Sequence, residues 1–353
     1  MAQALATKYR PHTWDDVVEQ GAVKQILQEQ LRTNSHKNCY LFTGGAGTGK
    51  TTCARIFANE INKHKGNPIE IDAASNNGVE NVREIIENSK FKALDAPYKV
   101  YIIDECHMLS TGAWNAMLKL LEEPPAQTIF IMCTTDPQKI PATILSRVQR
   151  YDFQRITHKS VVERLKRILL CEEDDILSSG GPDGVYTDNL EEEALEYIAK
   201  LADGGMRDAI TLLDKCLSYS NELTIKNVVE ALGTIDYTTM LNLTNATLHM
   251  KADDAVVIIE EAHRSGIDLK QFIKQYSYFL LDVYKYYLLN SFEYLQIPSS
   301  LANDLKQYNA GEFLFIRDLL DVVIKLGNDI KWETSPKPLI EATFILACQE
   351  CAE

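Results

Sequence analysis

At 353 residues, the chain is long enough for two or three domains, and its 45% hydrophobic and 24% charged content is ordinary for a globular protein. A net charge of −14 and a pI near 5.1 argue against a wholesale basic surface for nucleic acid, though local contacts through helix N-termini and a few cations stay open. No apolar run approaches the ~20 residues of a membrane span. The segment Met1 to Lys8 lacks the apolar core of a signal peptide, so the expected location is the cytoplasm.

In chain order, Cys39-Tyr40-Leu41-Phe42-Thr43 reads as a buried strand. Gly44-Gly45-Ala46-Gly47-Thr48-Gly49-Lys50-Thr51 follows and fits the phosphate-loop pattern G-x-x-x-x-G-K-[ST] without mismatch. Glycines there let the backbone bend and approach phosphate oxygens. Lys50 would reach the β and γ phosphates, and the Thr51 hydroxyl would ligate Mg²⁺. Thr52 to Ile61 reads as a helix whose positive N-terminal end faces the phosphates.

Further strands are expected at 68–72, 99–104 and 128–134, with amphipathic helices between them. This alternation predicts an α/β module, a parallel sheet covered by helices on both faces. Tyr101-Ile102-Ile103-Asp104-Glu105 is an apolar strand ending in two carboxylates. Beside a phosphate loop, Asp104 would hold Mg²⁺ through its water shell and Glu105 would polarise the attacking water. Alone, the pair would also suit a helix N-terminus. Asp104-Glu105-Cys106-His107 also matches the DExH form of helicases, but residues 158–353 read as too helical for a second recombinase-like domain.

The strand at 128–134 ends in Thr134-Thr135-Asp136, where a polar group would hydrogen-bond the attacking water or the γ-phosphate, or merely end a Thr-rich strand. Arg147, after Ser146, is either a solvated surface charge or an arginine finger acting on a neighbouring subunit's ATP. Helices are expected at 158–171, 189–202 and 205–218, with a surface loop at Ser178-Ser179-Gly180-Gly181-Pro182-Asp183-Gly184. Gly204-Gly205-Met206-Arg207 opens the last of these, and Arg207 would reach back over the γ-phosphate. From about 237 onward the periodicity stays helical. The expected domains are therefore 1–157 (nucleotide-binding), 158–236 (helical lid) and 237–353 (all-helical collar). The eight cysteines are scattered, and Cys348 and Cys351 form a lone CxxC that supplies only two ligands, so no zinc is expected there.

With these pieces in order, the chain resembles an AAA+ ATPase and, more narrowly, a clamp-loader ATPase of the bacterial DNA polymerase III gamma/tau (DnaX) family. The matching segments are Lys8-Tyr9-Arg10-Pro11, Trp14-Asp15-Asp16-Val17-Val18, Ile71-Asp72-Ala73-Ala74-Ser75-Asn76, Asn115-Ala116-Met117-Leu118-Lys119, Glu122-Glu123-Pro124-Pro125, Thr134-Thr135-Asp136-Pro137-Gln138-Lys139, Ile144-Leu145-Ser146-Arg147 and Gly205-Met206-Arg207-Asp208-Ala209. They cover 8–215 densely; the remainder matches a helical collar by length and pattern only.

The resemblance implies roles. Tyr9, Arg10, Pro11, Val17 and Val18 would border adenine and ribose. Gly45, Ala46, Gly47, Thr48, Gly49, Lys50, Thr51 and Thr52 would surround the phosphates. Thr134 would be the sensor on the fourth strand, Arg147 the finger in trans, and Arg207, beside Met206, the lid sensor. Catalysis would rest on Lys50, Asp104, Glu105, Thr134, Arg147 and Arg207, with ATP as substrate and Mg²⁺ on Thr51 and Asp104. The collar would join subunits in a homo- or hetero-pentamer, and the partners would be other loader subunits, a sliding clamp and primer–template DNA, with no membrane.

For DNA, the resemblance implies phosphate contacts at helix N-termini: Asn76, Asn77 and Arg83 around a helix opened by Ser75-Asn76-Asn77-Gly78, and Ser110 at a second. Plain N-capping by Ser75 or Asn76 is the alternative there. The exit of the first helix, near Phe91 to Pro97, would face the clamp, unless Phe91 and Leu94 are core.

Two departures stand out. The family's four-cysteine zinc module is missing, since residues 61–68 contain no cysteine, so zinc is not expected. The family's Ser-Arg-Cys reads Ser146-Arg147-Val148 here. Both point to a divergent branch, a bacteriophage or mobile-element version being one reading, and the chain stops where a tau-type subunit would continue. Two other functions stay open: a different AAA+ DNA remodeller such as a branch-migration motor, and a nucleotide-binding stator or scaffold. Intact Lys50, Thr51, Asp104 and Glu105 weigh against the scaffold.

Overall fold

A computed structural model describes residues 3–178, 186, 190–233, 237–292, 295, 297, 302–306 and 308–350. They form two compact units, Met1–Gly181 with Ile198–Asp214, and Pro182–Tyr197 with Lys215–Glu353.

The first unit holds a five-stranded parallel sheet: β1 (Cys39–Thr43), β2 (Ile69–Asp72), β3 (Lys99–Asp104), β4 (Thr128–Thr134) and β5 (Gln149–Asp152), in the order β2-β3-β4-β1-β5. Helices α1 (Leu5–Lys8), α2 (Gly21–Thr33), α3 (Lys50–Ile61), α4 (Val79–Ser89), α5 (Thr111–Glu122) and α6 (Ala142–Leu145) accompany it. The sequence explains the order. Every residue of β1 and β4 is buried, as expected of central parallel strands covered on both faces. β2 is largely exposed and lies at one edge.

Alternate residues of the central strands feed two cores. Tyr40, Phe42, Val100, Ile102, Ile129 and Ile131 pack with Leu27, Ile56 and Phe57 on one face. Leu41, Tyr101, Ile103, Phe130 and Met132 pack with Val82, Trp114 and Met117 on the other. Tyr101 and Phe130 stack with ring centroids 5.2 Å apart. Each such buried side chain contributes about 1.5–3 kcal/mol.

The register brings the strand ends together. Thr43 pairs with Thr134 and with Asp152, and Asp72 with Asp104. All of these residues therefore sit at the carboxyl edge of the sheet, where open α/β sheets bind ligands. The fifth strand is not predicted by the sequence pattern. It is an edge strand in which only Tyr151 is buried, so no apolar run marks it.

Helix α7 (His158–Ser178) extends seven residues beyond the expected 158–171 and takes in Ser178, the first residue assigned to a surface loop. The rest of that loop, 179–184, lies outside the described residues. Helices α8 (Glu192–Leu201) and α9 (Met206–Tyr219) follow close to their expected places.

The second unit contains α10 (Ile225–Leu232), α11 (Tyr237–Leu248), α12 (Ala252–Arg264), α13 (Leu269–Leu289), α14 (Ala302–Leu305), α15 (Ala310–Asp329) and α16 (Lys337–Glu350). Its core is a helical stripe on α13, Phe272, Tyr276, Phe279, Leu280 and Val283, at the three- and four-residue spacing of one face. Tyr276 is fully buried, and its hydroxyl meets Thr244 Oγ1 at 2.9 Å. Asn309 and Glu312 form a reciprocal capping box at the start of α15. Cys348 is buried and Cys351 lies outside the described residues. Among the described residues, no helix is long and apolar enough to cross a membrane.

Candidate nucleotide-binding site

β1 delivers the chain into the glycine-rich loop, and α3 leaves it at Lys50, two residues earlier than the periodicity suggested. Gly47 shows why a side chain is refused there. Its φ is +68°, and a Cβ would lie 2.9 Å from the Gly205 Cα. The Gly47 carbonyl accepts a hydrogen bond from the Met206 N–H at 3.0 Å. The loop is thus docked on the start of α9, which brings Met206 and Arg207 to the same pocket.

That pocket has a volume of about 260 Å³. Ala46, Gly47, Thr48, Gly49, Lys50, Thr51 and Thr52 line it from the loop, and Asp104 and Glu105 from the end of β3. Tyr9, Arg10, Pro11, Val17 and Val18 line it from the N-terminal segment, and Met206 and Arg207 from α9. Gly45 does not face the pocket, but its carbonyl holds Lys50. Ala6, Asp16, Ile156, Arg164, Asp208 and Ile210 complete the lining. Asp16 and Asp208 lie in the matching segments without an assigned role, and the other four carry no motif of their own and are gathered only by the fold.

Lys50 is 5% exposed, and its Nζ donates to the carbonyls of Gly44 at 2.9 Å and Gly45 at 2.7 Å. Burial lowers its pKa, opposed by the negative charges of Glu105 and Asp104 nearby. An ammonium buried on neutral carbonyls is poised for a stronger anionic partner. Burial likewise lowers the pKa of Arg10, and repulsion from Arg55 and Arg207 adds to it.

The Thr51 hydroxyl donates to Asp104 Oδ2 at 2.9 Å, and Asp104 Oδ1 accepts the Glu105 N–H at 3.1 Å. These hard oxygens suit Mg²⁺. Among the described residues, no cluster of three or more His, Cys, Asp and Glu could hold a metal. A magnesium ion on Thr51 and Asp104 would therefore draw its other ligands from water and phosphate, as this ion usually does.

Buried Gln20, in the left-handed region at φ +54°, braces the loop from behind. Its amide exchanges hydrogen bonds with the Gln154 backbone at 2.7 and 3.1 Å and reaches the Thr48 carbonyl at 3.4 Å. Lys8 anchors the N-terminal segment to α7 through Glu172 at 2.8 Å and Asp175 at 2.7 Å.

Thr134 is fully buried and does not line the pocket. Its hydroxyl oxygen accepts the Asp136 N–H at 3.0 Å and lies 3.1 Å from His107 Nδ1. The residue that reaches Glu105 is Thr135, through its N–H at 3.2 Å and its hydroxyl at 2.9 Å. Arg147 also lies off the pocket. Its Nε and Nη2 donate to Glu122 Oε1 at 2.9 and 2.6 Å, and it also bonds the Thr143 carbonyl and the Ser146 hydroxyl.

Among the residues expected at DNA, α4 begins at Val79 with Gly78 as N-cap and no side-chain cap, so neither Ser75 nor Asn76 caps it. Their side chains bond Asp72 instead. Asn77 accepts the Ser110 N–H at 3.2 Å through its carbonyl, which sets the starts of α4 and α5 side by side. Ser110 caps α5 by accepting the Ala113 N–H. Arg83 pairs with Glu80 at 2.6 Å. Phe91 and Leu94 are exposed, at 69% and 103%, and so are not core.

The chain is 36% identical over 98% of its length to the DNA polymerase III subunit tau of Bacillus subtilis, covering 63% of that protein. It belongs to the DNA polymerase III gamma/tau family. Within that family, it is 35% identical over 75% of its length to subunit tau of Escherichia coli, covering 43% of that protein. It is 32% identical over 79% of its length to subunit gamma of Buchnera aphidicola subsp. Schizaphis graminum, covering 79% of it. The chain thus spans less than two thirds of these tau subunits. Family models agree: residues 69–157 match the DNA polymerase III delta subunit, and 188–222 match the ATPase lid domain of the clamp-loader subunit. The fold is also that of the Thermotoga maritima RuvB Holliday junction branch migration motor, with TM-score 0.50 and 19% identity over 67% of this chain and 79% of that one.

Proposed function

We propose that this gamma/tau-family chain is an ATP-driven clamp-loader motor subunit, acting with a sliding clamp and primer–template DNA. The observation that carries the reading is the division of the site. Lys50, Thr51, Asp104, Glu105 and Arg207 converge on one pocket, whereas Arg147 stands outside it. A pocket that gathers the lysine, both carboxylates and the lid arginine but not the finger suits hydrolysis shared between subunits.

Within the pocket, Lys50 exchanges the carbonyls of Gly44 and Gly45 for the β and γ phosphates. Arg10 and Arg207 add positive charge, and the loop N–H groups orient the chain of phosphates. Thr51 and Asp104 would hold Mg²⁺, which neutralises charge on the phosphates when bound. Glu105 accepts a proton from the attacking water while the bond from the γ-phosphorus to its bridging oxygen breaks, releasing ADP and inorganic phosphate. Arg147 of the adjacent subunit supports the charge that develops there. The paired starts of α4 and α5 offer free N–H groups to a DNA phosphate, with Asn76, Asn77, Arg83 and Ser110 around them. The helical second unit would join subunits into a ring, and 1–157, 158–236 and 237–353 would act as motor, lid and collar.

The deciding measurement is ATP turnover with and without primed DNA and a sliding clamp. Stimulation by both together is expected. Turnover indifferent to both would favour a different remodeller, and no turnover would favour a scaffold.

A further inference from the structure

The Glu105 carboxylate is held from outside the pocket by two residues, Thr135 and His107, to which the motifs assign no such role. Glu105 sits in the left-handed region, with φ 46° and ψ 44°, a strained conformation for a glutamate. That turn sends the chain straight into a 3-10 turn, Cys106–Met108, and folds His107 back beneath the end of β4. Two elements then meet at one oxygen. Glu105 Oε2 accepts the Thr135 N–H at 3.2 Å and the Thr135 hydroxyl at 2.9 Å, and it lies 3.2 Å from His107 Nδ1. His107 Nδ1 is also 3.1 Å from Thr134 Oγ1.

The acceptors decide where the imidazole proton sits. Without a proton on Nδ1, its lone pair would face the Glu105 carboxylate at 3.2 Å, two acceptors in contact. With the proton on Nδ1, the N–H serves the carboxylate and the Thr134 oxygen together. The buried Thr134 hydroxyl then acts through His107 on Glu105, and not on phosphate directly.

We propose that Thr135 and His107, the latter as the Nδ1–H tautomer buttressed by Thr134, are positioning residues that cradle Glu105 by Oε2 and leave its other oxygen to meet the attacking water. This rests on the reading of Glu105 as the base. The cradle accounts for two adjacent threonines at the end of β4: Thr135 grips the carboxylate and Thr134 sets the imidazole.

The test compares single-turnover hydrolysis and the binding of a fluorescent ATP analogue in full-length variants. His107→Ala and Thr135→Val should lower the hydrolysis rate about 10- to 100-fold, the cost of a misplaced catalytic group, with analogue affinity unchanged. His107→Asn places an amide where Nδ1 stands and should recover most of the rate, whereas His107→Gln, whose amide reaches the Nε2 position, should not. Thr135→Ser should also recover it. Imidazole ¹⁵N spectra of the unmodified protein should show Nδ1 protonated. Glu105→Gln is the control: if it hydrolyses normally, the base assignment fails whatever the other variants do. If Glu105→Gln is inactive while His107→Ala and Thr135→Val keep the full rate, the cradle is refuted. Recovery by Gln and not Asn, or an Nε2–H tautomer, would also overturn it.

Discussion

Lys50, which its loop pattern sets beside phosphate, and Arg147, which only the family resemblance assigns there, are held by the structure in opposite ways. Lys50 is 5% exposed, on carbonyls of its own loop and inside the pocket. The Arg147 side chain is 32% exposed, outside the pocket, and ion-paired to Glu122. A buried cation on neutral oxygens gains from any anion that enters. A surface cation already on a carboxylate must give up one partner for another. The difference teaches that Lys50 is set for an incoming anion by its own loop, whereas Arg147, on the proposed reading, would act only once a neighbour is in place.

The sharpest way to break this contrast is to remove each cation in turn. Lys50→Ala should weaken ATP binding by roughly 100-fold or more, the scale of lost charge-assisted contacts in a dry site. Arg147→Ala should leave binding unchanged, as titration of a fluorescent nucleotide would report. Equal losses in both variants would place Arg147 in its own subunit's site.

Hydrolysis gives the next largest effect. Arg147→Ala should lose DNA- and clamp-stimulated turnover by on the order of 10³-fold, the scale of an arginine finger. Mixing it with Lys50→Ala protein should restore part of the activity, because mixed rings contain interfaces with an intact Lys50 facing an intact Arg147. No recovery across a range of mixing ratios would contradict a shared site.

A smaller effect tests how rigidly the pocket is prepared. Gly47→Ala forces a Cβ to within 2.9 Å of the Gly205 backbone at φ +68°. Strain of about 1–3 kcal/mol is expected, so nucleotide affinity should fall by about 5- to 150-fold, with the protein still folded by circular dichroism. Unchanged affinity would mean that the loop does not need its dock on α9.

The two cations also differ in how far the sequence disclosed their surroundings. Lys50 lies in an eight-residue pattern between an apolar strand and a helix, so its neighbours follow from spacing alone. The central strands were equally plain, because parallel strands covered on both faces must be apolar throughout. β5 was not, since an edge strand with one buried tyrosine leaves no run to find. Thr135 and His107 stand in quoted motifs, but their joint hold on Glu105 was hidden for another reason. They lie 28 residues apart in sequence and meet only because β3 and β4 are paired in register and Glu105 turns into the left-handed region. Arg147 could be suspected from Ser146-Arg147, but its bond to Glu122, 25 residues away, belongs to the tertiary structure. Patterns report what a local backbone needs; contacts across elements need the fold.

That bond yields the finest test of the comparison. If Glu122 merely parks Arg147, then Glu122→Gln should lower the cost of presenting the finger to a neighbour. Exposed pairs of this kind are worth about 0.2–1 kcal/mol, so the gain is capped at about 5-fold. It should appear as half-maximal stimulation at lower clamp and DNA concentration, with unstimulated turnover unchanged. The amide keeps the shape of the side chain, which separates the charge from the packing. Weaker stimulated turnover in Glu122→Gln would reverse the reading, because Glu122 would then be aiming the guanidinium at the neighbouring ATP and not holding it back.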